Sequence, residues 1–165
     1  MSFLHPGAES AAVEYLTPDT IRATLGAGID GIVYSSSRAT AIKVHAQEPG
    51  FNKELAVYQR LAEHRVRHVD RFAVPELLGF SRRLRIIEMS IVRPPYVLDF
   101  ASSYLDQPPD FPSEHWEHWQ QQRAEEFGDD WPTALSLYAT MRRRWGVYHL
   151  DLSPRNVNFG DTLAR

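Results

Sequence analysis

The chain of 165 residues contains no cysteine. Disulfides, thiolate metal sites and thiol nucleophiles are therefore excluded. No uninterrupted apolar run approaches the roughly 18 residues of a membrane-spanning helix, so no membrane partner is expected. An excess of positive charge is missing as well. Lys and Arg number 18 against 21 Asp and Glu, a formal net charge of −3, which argues against a protein whose main task is gripping nucleic acid. The opening residues Met1 to Gly7 lack the basic stretch and apolar core of a secretory leader, so a cytoplasmic protein is expected. Internal repeats and low-complexity tracts are also lacking. What remains is an ordinary globular composition, 43% hydrophobic and 24% charged, long enough to bury a core as one domain or two small lobes.

Residues 1–20 read as a lead-in with a turn at Pro18-Asp19. Strands are predicted over 21–25, 32–35 and 39–44, with glycines between the first two and a turn at 36–38. Gln47 to Gly50 breaks this pattern. Phe51, Leu55, Tyr58 and Leu61 then recur at helical spacing and predict a helix over 51–63. Two further strands, 74–80 and 83–89, complete a small antiparallel sheet carrying one helix. Arg93-Pro94-Pro95 is a stiff connector where composition shifts, so the expected boundary divides 1–92 from 93–165. The second part reads as mainly helical. A short helix is expected over 98–105, another opened by Ser113 and running through Phe127, and a third over about 132–145. Pro132 falls in the first turn of that third helix, where its missing N–H costs little. Gly146-Val147-Tyr148 reads as a short strand. The expected fold class is α+β.

Three features carry chemistry. His149-Leu150-Asp151-Leu152-Ser153-Pro154-Arg155-Asn156 reads H-x-D-L-x-P-x-N, with Asp151 and Asn156 five residues apart in a loop. That spacing suits phosphate transfer, with Asp151 taking a proton from an attacking hydroxyl and Asn156 reaching magnesium. Gly26-Ala27-Gly28-Ile29-Asp30-Gly31-Ile32-Val33 fits G-x-G-x-x-G-x-V. Its place between two predicted strands disfavours a dinucleotide fingerprint and favours a phosphate-covering hairpin, although tight turns also produce such matches. Lys43 follows Ala41-Ile42 inside an apolar strand, where an unpaired ammonium is expensive to bury. Glu54, on the helix behind, offers the counter-charge. The plainer alternative is a strand-end lysine reaching water beside an unrelated glutamate.

Together, and in this order, these features resemble the eukaryotic-like protein kinase superfamily over about residues 21–159. The resemblance implies a two-lobe fold that binds ATP and Mg2+, the N-lobe being 1–92 and a partial helical C-lobe 93–165. It implies that Gly26, Gly28 and Gly31 cover the ATP phosphates, flanked by Val33 and Ala41, and that Lys43 contacts the α- and β-phosphates while held by Glu54. Ile87 would take the gatekeeper place, with Glu88 and Ser90 offering backbone groups to adenine. Asp151 would be the catalytic base and Asn156 a magnesium ligand, the acceptor being an unidentified hydroxyl on a protein or a small molecule.

Departures from the family pattern matter too. Leu150 stands where arginine is usual, Ser153 where lysine is common, and no D-F-G follows at the usual distance. The reading is thus of a kinase-like domain truncated after the catalytic loop, with a catalytically impaired pseudokinase or one fragment of a split kinase as the alternative. Four tryptophans, Trp116, Trp119, Trp131 and Trp145, would need cover from a homodimer or partner chain if the usual supporting helices are missing. Lesser candidates are His115 and His118 as metal ligands, the arginine clusters 82–85 and 142–144 as phosphate contacts, and Ser153 with His149 and Asp151 as a hydrolase triad. Each has a structural reading that is favoured over it.

Overall fold

The computed structural model describes residues 5–92, 100, 102–154 and 157, which form an α+β structure. Helix α1 (Ala8–Leu16) precedes three strands joined as antiparallel hairpins, β1 (Ile21–Gly28), β2 (Gly31–Ser36) and β3 (Thr40–His45). Helix α2 (Glu48–Glu63) and a small hairpin of β4 (His68–Val69) and β5 (Phe72–Ala73) lead to β6 (Leu77–Ser81) and β7 (Ile86–Ser90). The five-stranded antiparallel sheet has the order β1-β2-β3-β7-β6. Strand β8 (Ser103–Leu105), helices α3 (Ser113–Phe127) and α4 (Trp131–Trp145), and strand β9 (Val147–His149) follow. A 3₁₀ turn links the two helices, and β8 pairs antiparallel with β9.

Strands β3 and β7 are central and buried on both faces, which explains their near-continuous apolar sequences. On one face Ile32, Tyr34, Ile42, Val44 and Ile86 meet Ala8, Ala12 and Leu16 of α1. Those three residues recur every four positions, and the two alanines let the helix approach the sheet closely. On the other face Ala41, Ile87 and Met89 meet Phe51, Leu55, Tyr58 and Leu61 of α2. The same cluster continues through Phe100 into Leu137 and Met141 of α4, then Val147 and Leu152. Burial of each Leu- or Phe-sized side chain contributes about 1.5–3 kcal/mol.

Several expectations are corrected. The lead-in contains α1, because the sheet's second apolar face needs a cover. Helix α2 begins at Glu48, three residues early, with Pro49 in its first turn. The later sheet strands begin at Leu77 and Ile86 rather than at 74 and 83; Arg85, at φ 52°, turns the chain just before β7. The helix expected over 98–105 is not formed at 103–105, where β8 instead pairs with β9; residues 98, 99 and 101 lie outside the described residues. So does the boundary at 93–95. Ser113 opens α3 without a side-chain capping bond, and the capping position is Pro112.

All four tryptophans are partly buried. Trp119 meets Trp116, Trp131 and Tyr138 at ring-centroid distances of 6.1, 6.4 and 5.4 Å. Helices α3 and α4 thus cover each other's aromatic residues. No helix among the described residues is long and apolar enough to cross a membrane.

Candidate functional site

Side-chain alternation along β3 puts Ala41, Lys43 and His45 on the face toward α2. On α2, Phe51, Glu54, Leu55 and Tyr58 share the buried stripe, so Glu54 points inward with its apolar neighbours. Lys43 and Glu54 are only 6% and 3% exposed. The Lys43 Nζ donates to both carboxylate oxygens of Glu54, at 2.9 and 2.7 Å. His45 Nε2 stands 2.9 Å from Glu54 Oε2. Burial pushes the Glu54 carboxyl up, but the Lys43 charge and the His45 hydrogen bond outweigh it, leaving the carboxyl below its ordinary value.

The β1–β2 hairpin carries the three glycines, with Gly26 opposite Val33 and Gly28 opposite Gly31. They are not equivalent. A Cβ on Gly31, which has φ 156°, would lie 2.1 Å from the Val44 carbonyl oxygen, so this glycine lets β2 close onto β3. A Cβ on Gly26 or Gly28 would meet nothing within 4 Å. The backbone there has open space beside it.

That space belongs to a cleft of about 950 Å³, bounded on the sheet side by the glycine hairpin, Val33 and Lys43. Asp151, Ser153 and Pro154 bound it from the loop after β9, and Arg123 and Glu126 from α3. Helix α3 also holds that loop. Trp119 Nε1 donates to the Leu150 carbonyl at 2.9 Å, and Arg123 Nη1 donates to the Leu152 carbonyl at 3.0 Å. These two carbonyls flank Asp151 in sequence, so the backbone on both sides of the carboxylate is tied to one helix. Partly buried carbonyls of this kind need donors, and α3 provides them.

The structure therefore brings Gly26, Gly28, Gly31, Val33, Lys43 and Asp151 to one cleft, with Glu54 behind Lys43. Ala41 lies on the same strand face as Lys43 but inside the core. Glu88 is not brought there. It sits in the middle of the sheet, opposite Ile42 on one side and Gly79 on the other. Its side chain lies on the α1 face, accepting from Tyr15 Oη at 3.0 Å and Thr40 Oγ1 at 2.7 Å. Its backbone runs between two strands of the ladder. Ser90 is also outside the cleft lining, and its N–H donates to the Glu76 carbonyl at 2.9 Å. Ile87 and Met89 both point to the α2 side, and Met89 takes the Tyr58 hydroxyl at its sulfur, 3.5 Å away. Asn156 lies outside the described residues. His149 is fully buried with Nδ1 3.3 Å from Ser103 Oγ, a geometry that does not assemble the triad with Ser153.

His45 and Arg123 escaped the sequence reading, and Trp119 was read only as apolar surface needing cover. His45 was marked by its two-residue spacing from Lys43. Trp119, Arg123 and Phe127 recur every four residues, which places them on one face of α3; the many polar residues around them masked that stripe. No protein-family model matches the chain, and no curated protein is significantly similar to it.

Proposed function

We propose that the chain is a kinase-like phosphotransferase domain with the two-lobe arrangement of the protein kinase superfamily, binding ATP in the cleft between the glycine hairpin and the Asp151 loop. The observation that carries this is the convergence on one cleft of a buried lysine–carboxylate pair, an open glycine hairpin and a loop aspartate. A nucleotide fits the residues present. The space beside Gly26 and Gly28 is what a Cβ would begin to fill, and about 950 Å³ lies at the upper end of the range of small-molecule sites.

Each residue then has a task. Backbone N–H groups of the hairpin approach the phosphates where no side chain intervenes. The Lys43 ammonium, oriented by Glu54, provides positive charge to them. Asp151 accepts the proton of the attacking hydroxyl. Bound ATP would supply the transferable phosphoryl group. Magnesium is less well matched, because no group of three His, Asp or Glu converges among the described residues, and Asn156 lies outside them. The cleft lining carries Asp30, Glu126 and Asp151 against Lys43 and Arg123, so a nucleotide is expected to enter with its counter-cation.

Titration calorimetry with Mg-ATP tests the reading. Wild type is expected to bind and Lys43→Met to lose most of the affinity. Absence of binding at millimolar nucleotide would sink the proposal. Phosphate transfer present in wild type and lost in Asp151→Asn supports the chemical half. Intact binding without any transfer would leave only a nucleotide-binding module.

A further inference from the structure

Among the described residues, the cation that lines the cleft beside Lys43 is Arg123 of α3, a residue outside the three motifs that suggested nucleotide binding. Its side chain is 12% exposed, so the guanidinium is largely withdrawn from water. Two contacts hold it, Nη1 to the Leu152 carbonyl at 3.0 Å and Nη2 to one oxygen of Glu126 at 2.9 Å. A guanidinium has five N–H donors. Nε is buried and has no hydrogen-bond partner among the described residues. The Glu126 contact is single rather than forked and lies at a side chain 35% exposed, so it does not saturate the group. An incompletely bonded, largely desolvated guanidinium at the wall of a cleft costs stability unless a ligand completes it. The Leu152 carbonyl also fixes it one residue beyond Asp151, on the side of the cleft facing the glycine hairpin.

We propose that Arg123 is a phosphate-binding residue of this cleft, contacting the terminal phosphates of the bound polyphosphate next to Asp151. This rests on the nucleotide reading for the identity of the ligand, but not for the anionic chemistry. Glu126 holds the guanidinium until the ligand arrives and competes with it. The Leu152 contact ties ligand binding to the loop that carries Asp151, so α3 both supports that loop and recognises the ligand. Lys43 and Arg123 then hold the phosphate chain from opposite walls.

The test is calorimetric titration of the full chain with three probes: Mg-ATP, adenosine and inorganic tripolyphosphate. Arg123→Met is expected to weaken Mg-ATP and tripolyphosphate by roughly 10- to 100-fold, the worth of a charge-assisted hydrogen bond, while adenosine changes less than about twofold. Arg123→Lys should restore part of the loss. Because Arg123→Met also removes the Leu152 contact, Glu126→Gln provides a second variant that keeps it; this change should tighten tripolyphosphate by roughly two- to fivefold. An equal loss for all three probes, or no loss for the phosphate-bearing two, overturns the role of Arg123 even where wild type binds Mg-ATP. Wild-type binding of tripolyphosphate that depends on Arg123, without binding of Mg-ATP, would overturn the nucleotide reading and leave Arg123 in place. If wild type binds none of the three, both fall.

Discussion

Two buried carboxylates lie on opposite faces of the same sheet and are handled differently. Glu54, 3% exposed, meets an ammonium and an imidazole on the cleft side. Glu88, 5% exposed, meets the hydroxyls of Tyr15 and Thr40 on the α1 side, with the Arg38 guanidinium no closer than 3.7 Å. Hydroxyl donors satisfy a carboxylate without creating a functional charge pair. A lysine held at the cleft wall has its ammonium oriented toward whatever enters. The contrast separates a carboxylate that organises a site from one that ties a helix to a sheet.

The largest expected effect comes from breaking the first partnership. Glu54→Gln leaves a buried ammonium without its counter-charge and should cost about 3–5 kcal/mol in urea unfolding, together with most of the Mg-ATP affinity. Glu88→Gln keeps an amide where hydroxyls can still bond, and should cost about 1 kcal/mol with nucleotide affinity unchanged. Equal costs, or lost affinity in Glu88→Gln, would erase the distinction.

Acid should sharpen it. The depressed Glu54 pKa means that its stabilising contribution is complete above the ordinary carboxylate value of about 4.3 and is lost as pH falls through the lower folded value. Lys43→Met should weaken this acid dependence, because burial is then opposed by the His45 contacts alone. Unfolding midpoints measured from pH 3 to 7 would show a shallower slope in the variant than in wild type.

On the other face the signature is at high pH. Burial and the Glu88 carboxylate push the Tyr15 hydroxyl up to about 12. The protonated phenol's contribution is therefore present below pH 10 and fades between about 10 and 12. Ultraviolet titration should lose one late-ionising tyrosine in Tyr15→Phe.

The hairpin glycines separate a larger effect from the smallest one. Gly31→Ala should cost about 1–3 kcal/mol or more, from its backbone clash with Val44. Gly26→Ala and Gly28→Ala have room for the methyl group and should shift stability by less than about 0.5 kcal/mol while weakening Mg-ATP.

The elements read correctly from sequence were β1 to β3, α2, α3, α4 and β9. Helix α1 went unread because its stripe of Ala8, Ala12 and Leu16 is weak alone and gains meaning only from the apolar sheet face it covers. Strand β8 went unread because its partner is 46 residues away at His149. Glu88 and Ser90 were given backbone roles only through the family resemblance. That the Glu88 side chain turns to the α1 face while Ile87 and Met89 face α2 depends on the register of β7.

Sequence alone suggested that Lys43 pairs with Glu54, because an ammonium inside an apolar strand needs a counter-charge, and the structure decided for that pairing over a lysine reaching water. Sequence also determined that glycines would line a hairpin close to that lysine. Tertiary structure alone decided that Gly31 serves packing while Gly26 and Gly28 leave space, that Glu88 turns away, and that α3 lays Trp119 and Arg123 across the Asp151 loop. Those outcomes depend on which surfaces meet across long stretches of chain, and no local period encodes such a meeting.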